Sequence, residues 1–279
     1  MRSLGININT NANGLMVSYN DEGPDGAPVV LFIHGFPLNK SMWNAQFEVL
    51  KPTHRVIAYD VRGHGNSEPG TEDFSIELFV EDLLGFMDTL QLDQVILCGL
   101  SMGGYIALNA IEKHPERFIG LVLSDTQCLA DTPEAIEKRM AAIESIREEG
   151  AEVYLEQSIQ NLFAEASFET KQIEIDSIKE MMSKTTAQSL CNTLHALSVR
   201  KETCSKLSEL AVPILILVGK EDKITPPSVA RLMLDKTQHS TLIIIEHAGH
   251  LANIENPHEF NQQLVEFVDR YFPIDKPRH

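Results

Sequence analysis

A serine hydroxyl is a weak nucleophile until a base takes its proton, so a chain that uses one must also supply a histidine and an acid to orient it. Ser101 stands in Gly99-Leu100-Ser101-Met102-Gly103-Gly104. An apolar run, residues 94–98, precedes this G-x-S-x-G pattern, and a helical pattern, residues 102–113, follows it. Glycines at these places allow a sharp turn and a close passage of helix past strand. The turn lifts the hydroxyl to a helix N-terminus, where unpaired N–H groups favour a developing anion. The bland alternative is a chance Gly/Ser turn; the strand–turn–helix context favours a nucleophile.

The base belongs on a late loop at the carboxyl edge of the sheet. His250, in Glu246-His247-Ala248-Gly249-His250, follows the apolar run 241–245 and is the preferred base, with His247 as its rival. His54, His114, His195, His239, His258 and His279 read as surface or packing residues, and His34 as a structural hydrogen-bonding residue. The acid must fix the imidazole tautomer and stabilise its cation. Asp222, in Gly219-Lys220-Glu221-Asp222-Lys223, follows the run 213–218 and gives the chain order Ser, Asp, His. Glu221 and Asp125 are the competing acids. An oxyanion needs two N–H donors. Met102 follows the nucleophile, and Phe36 lies in His34-Gly35-Phe36-Pro37 just after the run 29–33.

The elements that must position these residues are short apolar runs at 29–33, 55–59, 94–98, 120–124, 213–218 and 241–245. They are continuous, as in strands buried on both faces of a parallel sheet. Residues 14–20 alternate more and suggest an antiparallel edge strand. Helical patterns lie between, at 75–90, 102–113 and 257–271. This alternation predicts an α/β fold with a doubly wound, mostly parallel sheet. Residues 126–205 break it with about four helical segments and no strand. The first is capped by Asp131 or Thr132 with Pro133 at its first position. An all-helical block inserted in an α/β core reads as a lid. The expected division is a core of residues 1–125 and 206–279, and a lid of residues 126–205. Trp43 reads as a core residue.

The chain has 279 residues and a formal charge of −17. That charge argues against nucleic acid and anionic lipid as partners. No apolar run reaches the length that spans a bilayer, and the polar start, Met1 to Asn13, has no apolar core of a signal peptide. The four cysteines, Cys98, Cys128, Cys191 and Cys204, have no C-x-x-C spacing and read as reduced thiols of a cytoplasmic protein. No His/Cys/Asp cluster has ligand spacing, so neither a metal nor a cofactor is expected.

The motifs together resemble the α/β-hydrolase-fold serine hydrolases with a helical lid, the group that includes esterases and 3-oxoadipate enol-lactonases. The resemblance rests on five pieces in order: His34-Gly35-Phe36-Pro37, the segment from Asp60 to Ser67, Gly99 to Gly104, Gly219 to Asp222, and Ala248-Gly249-His250. It implies Ser101, Asp222 and His250 as a triad, with Phe36 and Met102 as the oxyanion hole. Dehalogenases and epoxide hydrolases of the family carry an Asp where Ser101 stands, which disfavours those activities.

The expectation is a hydrolase of small carboxylic esters or lactones acting through an acyl-enzyme on Ser101. The alternatives are a carbon–carbon bond hydrolase or perhydrolase on the same triad and, outside enzymes, a small-molecule receptor of the same fold. Leu38, Leu162 and Phe163 are expected to join Phe36 and Met102 in the pocket wall. Lys184, Arg139 and Arg200 are the cations a lid could offer to a substrate carboxylate.

Overall fold

Asn13 and Gly14 close the first hairpin. Both have positive φ, 51° and 81°, as a two-residue turn between twisted antiparallel strands requires. The turn joins β1 (Gly5–Ala12) to β2 (Leu15–Glu22), with Ala12 facing Leu15. The computed structural model describes residues 5–273; Met1 to Leu4 and His279 lie outside them. The strand expected at the sheet edge is therefore one place in from it, and β1 forms the edge. Most β1 side chains face solvent, so no apolar pattern marks it. Its signal is the Asn-Gly pair.

Six further strands complete the sheet: β3 (Val29–Ile33), β4 (Arg55–Tyr59), β5 (Val95–Leu100), β6 (Phe118–Ser124), β7 (Ile214–Gly219) and β8 (Ser240–Ile245). The spatial order is β1-β2-β4-β3-β5-β6-β7-β8. The β1–β2 and β2–β4 ladders are antiparallel, and all the others are parallel. The sheet is the mostly parallel, doubly wound one that the continuous apolar runs predict.

Side chains alternate across it into two cores. Leu31 and Ile33 pack with α2 (Ile76–Thr89) and α3 (Met102–Lys113) on one face. Val30 and Phe32 pack on the other face with α1 (Asn44–Leu50), which carries Phe47 and Leu50. Trp43, just before α1, is fully buried there, its ring tilted against that of Phe32 with centroids 4.7 Å apart.

Between β6 and β7 the chain leaves the sheet as a run of helices: α4 (Pro133–Glu149), α5 (Ala151–Leu162), α6 (Ser167–Thr170), α7 (Gln172–Ser183) and α8 (Ala187–Ser198). Thr132 caps α4, accepting the Ala135 N–H. Asp131 is not the cap; it pairs with Arg139 at 2.6 Å and with Arg200 at 2.6 Å. Ile143, Ile146, Leu190 and Leu194 give α4 and α8 a small core of their own. After β7 come α9 (Pro227–Lys236), α10 (Ala252–Glu255) and α11 (Pro257–Tyr271); α11 closes on α1, and Phe260 lies 6.3 Å from Trp43.

The reading of all four cysteines as reduced thiols is corrected. Cys128 and Cys204 form a disulfide, while Cys98 and Cys191 are free and buried. The bonded pair lies 76 residues apart in sequence, and spacing cannot reveal a pairing that the fold creates by bringing the two feet of an insertion together. The thiol argument for a cytoplasmic protein goes with it. Among the described residues no helix is long and apolar enough to cross a membrane.

Candidate active site

Ser101 caps the turn from β5 into α3. Its backbone has φ 53° and ψ −113°, a strained conformation for a residue with a side chain, of the kind that clusters at functional sites. The surroundings impose it. The Ser101 N–H donates to the Ser124 carbonyl at 3.0 Å, and its own carbonyl accepts the Thr126 hydroxyl at 2.8 Å. A Cβ on Gly103 would stand 2.3 Å from the Ile33 carbonyl oxygen, so only glycine lets α3 start this close to β3.

The turn carries the Ser101 Oγ to 2.8 Å from His250 Nε2. His250 Nδ1 lies 2.8 Å from Asp222 Oδ2. The three residues singled out from the sequence thus meet, although they come from the ends of β5, β7 and β8. Their rivals stand apart. His247 and Glu221 are exposed. Asp125 accepts the Gly219 N–H at 2.7 Å and the Ser124 hydroxyl at 2.7 Å instead of facing His250 in a hydrogen bond.

Asp222 is built to stay charged. Its Oδ1 accepts the N–H groups of Ile224 and Thr225, at 2.8 and 3.0 Å. Its Oδ2 accepts the Thr225 hydroxyl at 2.7 Å beside His250. Burial works against the anion, but the His250 charge and these donors outweigh it and hold the carboxyl below the usual range. Burial likewise disfavours a charged His250, and Asp222 overcomes that, so the imidazole is raised above its ordinary value. Thr225 was not among the residues the sequence singled out. An Asp-x-x-Thr spacing in a loop is its only trace there.

The loop after β3 brings Phe36 over the same point. His34 holds it: Nδ1–H donates to the Gly35 carbonyl at 2.9 Å, and Nε2 accepts the Val61 N–H at 2.9 Å. Burial outweighs the Gly35 hydrogen bond and lowers its imidazole to about 4, so it is neutral and serves as a brace. Among the described residues neither the Phe36 N–H nor the Met102 N–H donates to a protein acceptor. Both residues line the cavity above Ser101.

That cavity holds about 450 Å³ and reaches Ser101 and His250 at its floor. Helices α4, α5 and α8 supply most of its wall. Leu162 lines it. Leu38 and Phe163 do not; each is buried in the core layer on the α1 side of the sheet. Of the expected cations, Arg139 lines the cavity, joined by Lys138 and Lys223, and no carboxylate residue does. Arg200 lies behind, 4.2 Å over the Tyr105 ring, and Lys184 pairs with Glu180 on the surface. Among the described residues no group of His, Cys, Asp or Glu is gathered to hold a metal.

Residues 28–257 match the model of the alpha/beta hydrolase fold family. The 3-oxoadipate enol-lactonase 1 of Acinetobacter baylyi is 29% identical over 260 residues, 93% of this chain and 95% of that protein. A thermophilic esterase from Thermogutta terrifontis superposes with a TM-score of 0.89 at 32% identity, covering 95% of this chain and 98% of the other. The enol-lactonase from Burkholderia xenovorans LB400 superposes with a TM-score of 0.87 at 25% identity, over 94% of this chain and 99% of its own. With the fold, the match over most of its length and these relatives in agreement, the chain belongs to the α/β-hydrolase fold family and is a hydrolase of that family.

Proposed function

We propose that the protein cleaves small carboxylic esters or lactones through an acyl-enzyme on Ser101. The observation that carries this reading is the unbroken line from Ser101 Oγ to His250 to Asp222, with 2.8 Å at each step, beneath a cavity of about 450 Å³. His250 takes the Ser101 proton as the oxygen attacks the carbonyl. The N–H groups of Phe36 and Met102 receive the oxyanion; one such donor is worth about 3–4 kcal/mol of transition-state stabilisation. Asp222 stabilises the imidazolium, and His250 returns the proton to the leaving alkoxide. Water, activated by the same base, then releases the acid.

Residues 126–205 act as the lid over a core of residues 1–125 and 206–279. Lys138, Arg139 and Lys223 around the cavity, in a chain of charge −17, favour a substrate that carries one carboxylate. The names of the enol-lactonase relatives fit such a substrate.

The test is a fluorophosphonate probe followed by peptide mass spectrometry, beside a p-nitrophenyl ester series. Labelling at Ser101, repeated turnover, and loss of both in Ser101→Ala support the reading. Labelling at another residue, or full turnover by Ser101→Ala, contradicts it. Labelling without repeated turnover favours a receptor over an enzyme.

A further inference from the structure

One buried carboxylate near the site has no part in the chemistry above. Glu255, the last residue of α10, is 3% exposed. Its Oε1 accepts the Gly249 N–H at 2.7 Å. Its Oε2 accepts the Ala164 N–H at 2.8 Å and the Ser167 hydroxyl at 2.6 Å. Gly249 is the residue before His250, and Ala164 and Ser167 lie just past α5 in the helical insertion. The His250 N–H itself donates to the Leu162 carbonyl at 3.0 Å. The histidine loop is thus fastened to the insertion at two successive residues, once directly and once through Glu255. There is no slack between them: a Cβ at Gly249 would stand 2.6 Å from the Ala164 nitrogen.

We propose that Glu255 is a positioning residue for His250, clamping the histidine loop to the turn after α5 so that His250 is aimed at Ser101 only while the insertion is seated. The inference rests on reading His250 as the base. Three N–H and O–H donors favour the Glu255 anion, against burial, which pushes its carboxyl above the ordinary range. Its charge also acts on the imidazole. The acidic groups that face His250 are Asp222 from the loop after β7, Glu255 from α10, and Asp125 from the end of β6, whose carboxyl burial pushes well above the carboxylate range; Lys223 lies on the same cavity. Negative charge on Asp222 and Glu255 favours the imidazolium, so removing that of Glu255 moves the His250 titration to lower pH.

The experiment compares Glu255→Gln and Glu255→Asp with the wild-type full chain, each checked for folding by circular dichroism and thermal melting. In Glu255→Gln, kcat falls about 10- to 100-fold, the size of loss that follows a small misplacement of a reacting group. KM changes little, and the acid limb of the kcat/KM profile moves to lower pH. Glu255→Asp keeps the charge but shortens the reach: kcat falls while the limb stays in place. It carries the test alone if Glu255→Gln does not fold. Wild-type kcat in Glu255→Asp overturns the proposal. So does a Glu255→Gln protein with unchanged kcat, or one with a lower melting temperature and an unmoved limb. Full turnover in His250→Ala instead overturns the reading of the base, whatever Glu255 does.

Discussion

Cys128 and Cys204 stand 4.8 Å apart at their Cα atoms and are bonded across the foot of the helical insertion, one shortly after β6 and the other at the start of the helical turn Cys204–Glu209 that leads to β7. The Thr203 N–H donates to the Cys128 carbonyl at 2.8 Å, so the two feet are also hydrogen-bonded. Closing a loop of 76 residues in the unfolded chain is worth about 4 kcal/mol in the chain-entropy picture. Cys204→Ser should therefore melt about 8 °C below the oxidised protein, given the Tm shift per kcal/mol for chains of this size. Reducing agent should lower the wild type toward the variant and leave the variant itself unmoved. Equal melting temperatures with and without reductant would show that the bond adds no stability.

The acid of the line is a choice between two buried aspartates, and geometry separates them. Asp222 touches His250, whereas Asp125 braces the Gly219 N–H and the Ser124 hydroxyl. Burial, then the neighbouring Asp222 charge, pushes the Asp125 carboxyl well above the carboxylate range. With Asp222 as the proposed acid, Asp222→Asn should lower kcat by about 10⁴, as losing the tautomer-fixing acid does in serine proteases. Asp125→Asn, which still offers an oxygen to Gly219, should cost far less. A larger loss in Asp125→Asn would reassign the acid.

How much of this was legible in the sequence depended on whether the signal was local. Ser101 announced itself because glycines, strand and helix sit within a dozen residues. His250 and Asp222 are legible as candidates because each follows an apolar run that has to be a strand, and the fold brings both to Ser101. Thr225 and Glu255 were missed because their partners are Asp222 and Gly249 in three dimensions, and nothing local separates them from other loop polar residues. Strand β1 was missed because a solvent-facing edge strand has no apolar pattern. The insertion was read as helical from its spacing, but which of its faces meets the cavity depends on how α4, α5 and α8 pack. Leu162 was therefore found, while Lys138, Lys223 and Tyr154 were not.

The cations at the cavity lead to a prediction about selectivity. A hemiester such as mono-p-nitrophenyl glutarate should be preferred over the neutral p-nitrophenyl butyrate, and the preference should shrink as salt rises. Lys138→Ala and Lys223→Ala should each raise KM for the hemiester by up to about fivefold, the range of a solvent-exposed ion pair, with KM for the neutral ester nearly unchanged. Equal effects on both substrates would mean that the lysines shape the cavity but do not read charge.

Catalysis and folding should respond to pH through different histidines. His250 is raised by its carboxylate partner and, as the proposed base, must be neutral to act, so kcat/KM should fall on the acid side with a midpoint above the ordinary histidine value of about 6.5. His34 and His64 are lowered by burial to about 4 and about 3. The unfolded chain binds protons at these residues first, so their contribution to stability is present above about pH 6.5 and is lost as pH falls toward 4 and 3. The urea midpoint should drop over that window, and less so in His64→Gln. An identical slope in that variant would remove His64 from the explanation.

The central claim is that Ser101 carries the acyl group. The most direct measurement is to mix the enzyme with a p-nitrophenyl ester, quench in acid within the first turnovers, and locate added mass by peptide mass spectrometry. The account predicts an acyl adduct on the peptide holding Ser101, formed with a burst of p-nitrophenolate and cleared as substrate runs out. Turnover with no adduct on that peptide, or with an adduct elsewhere, would contradict it.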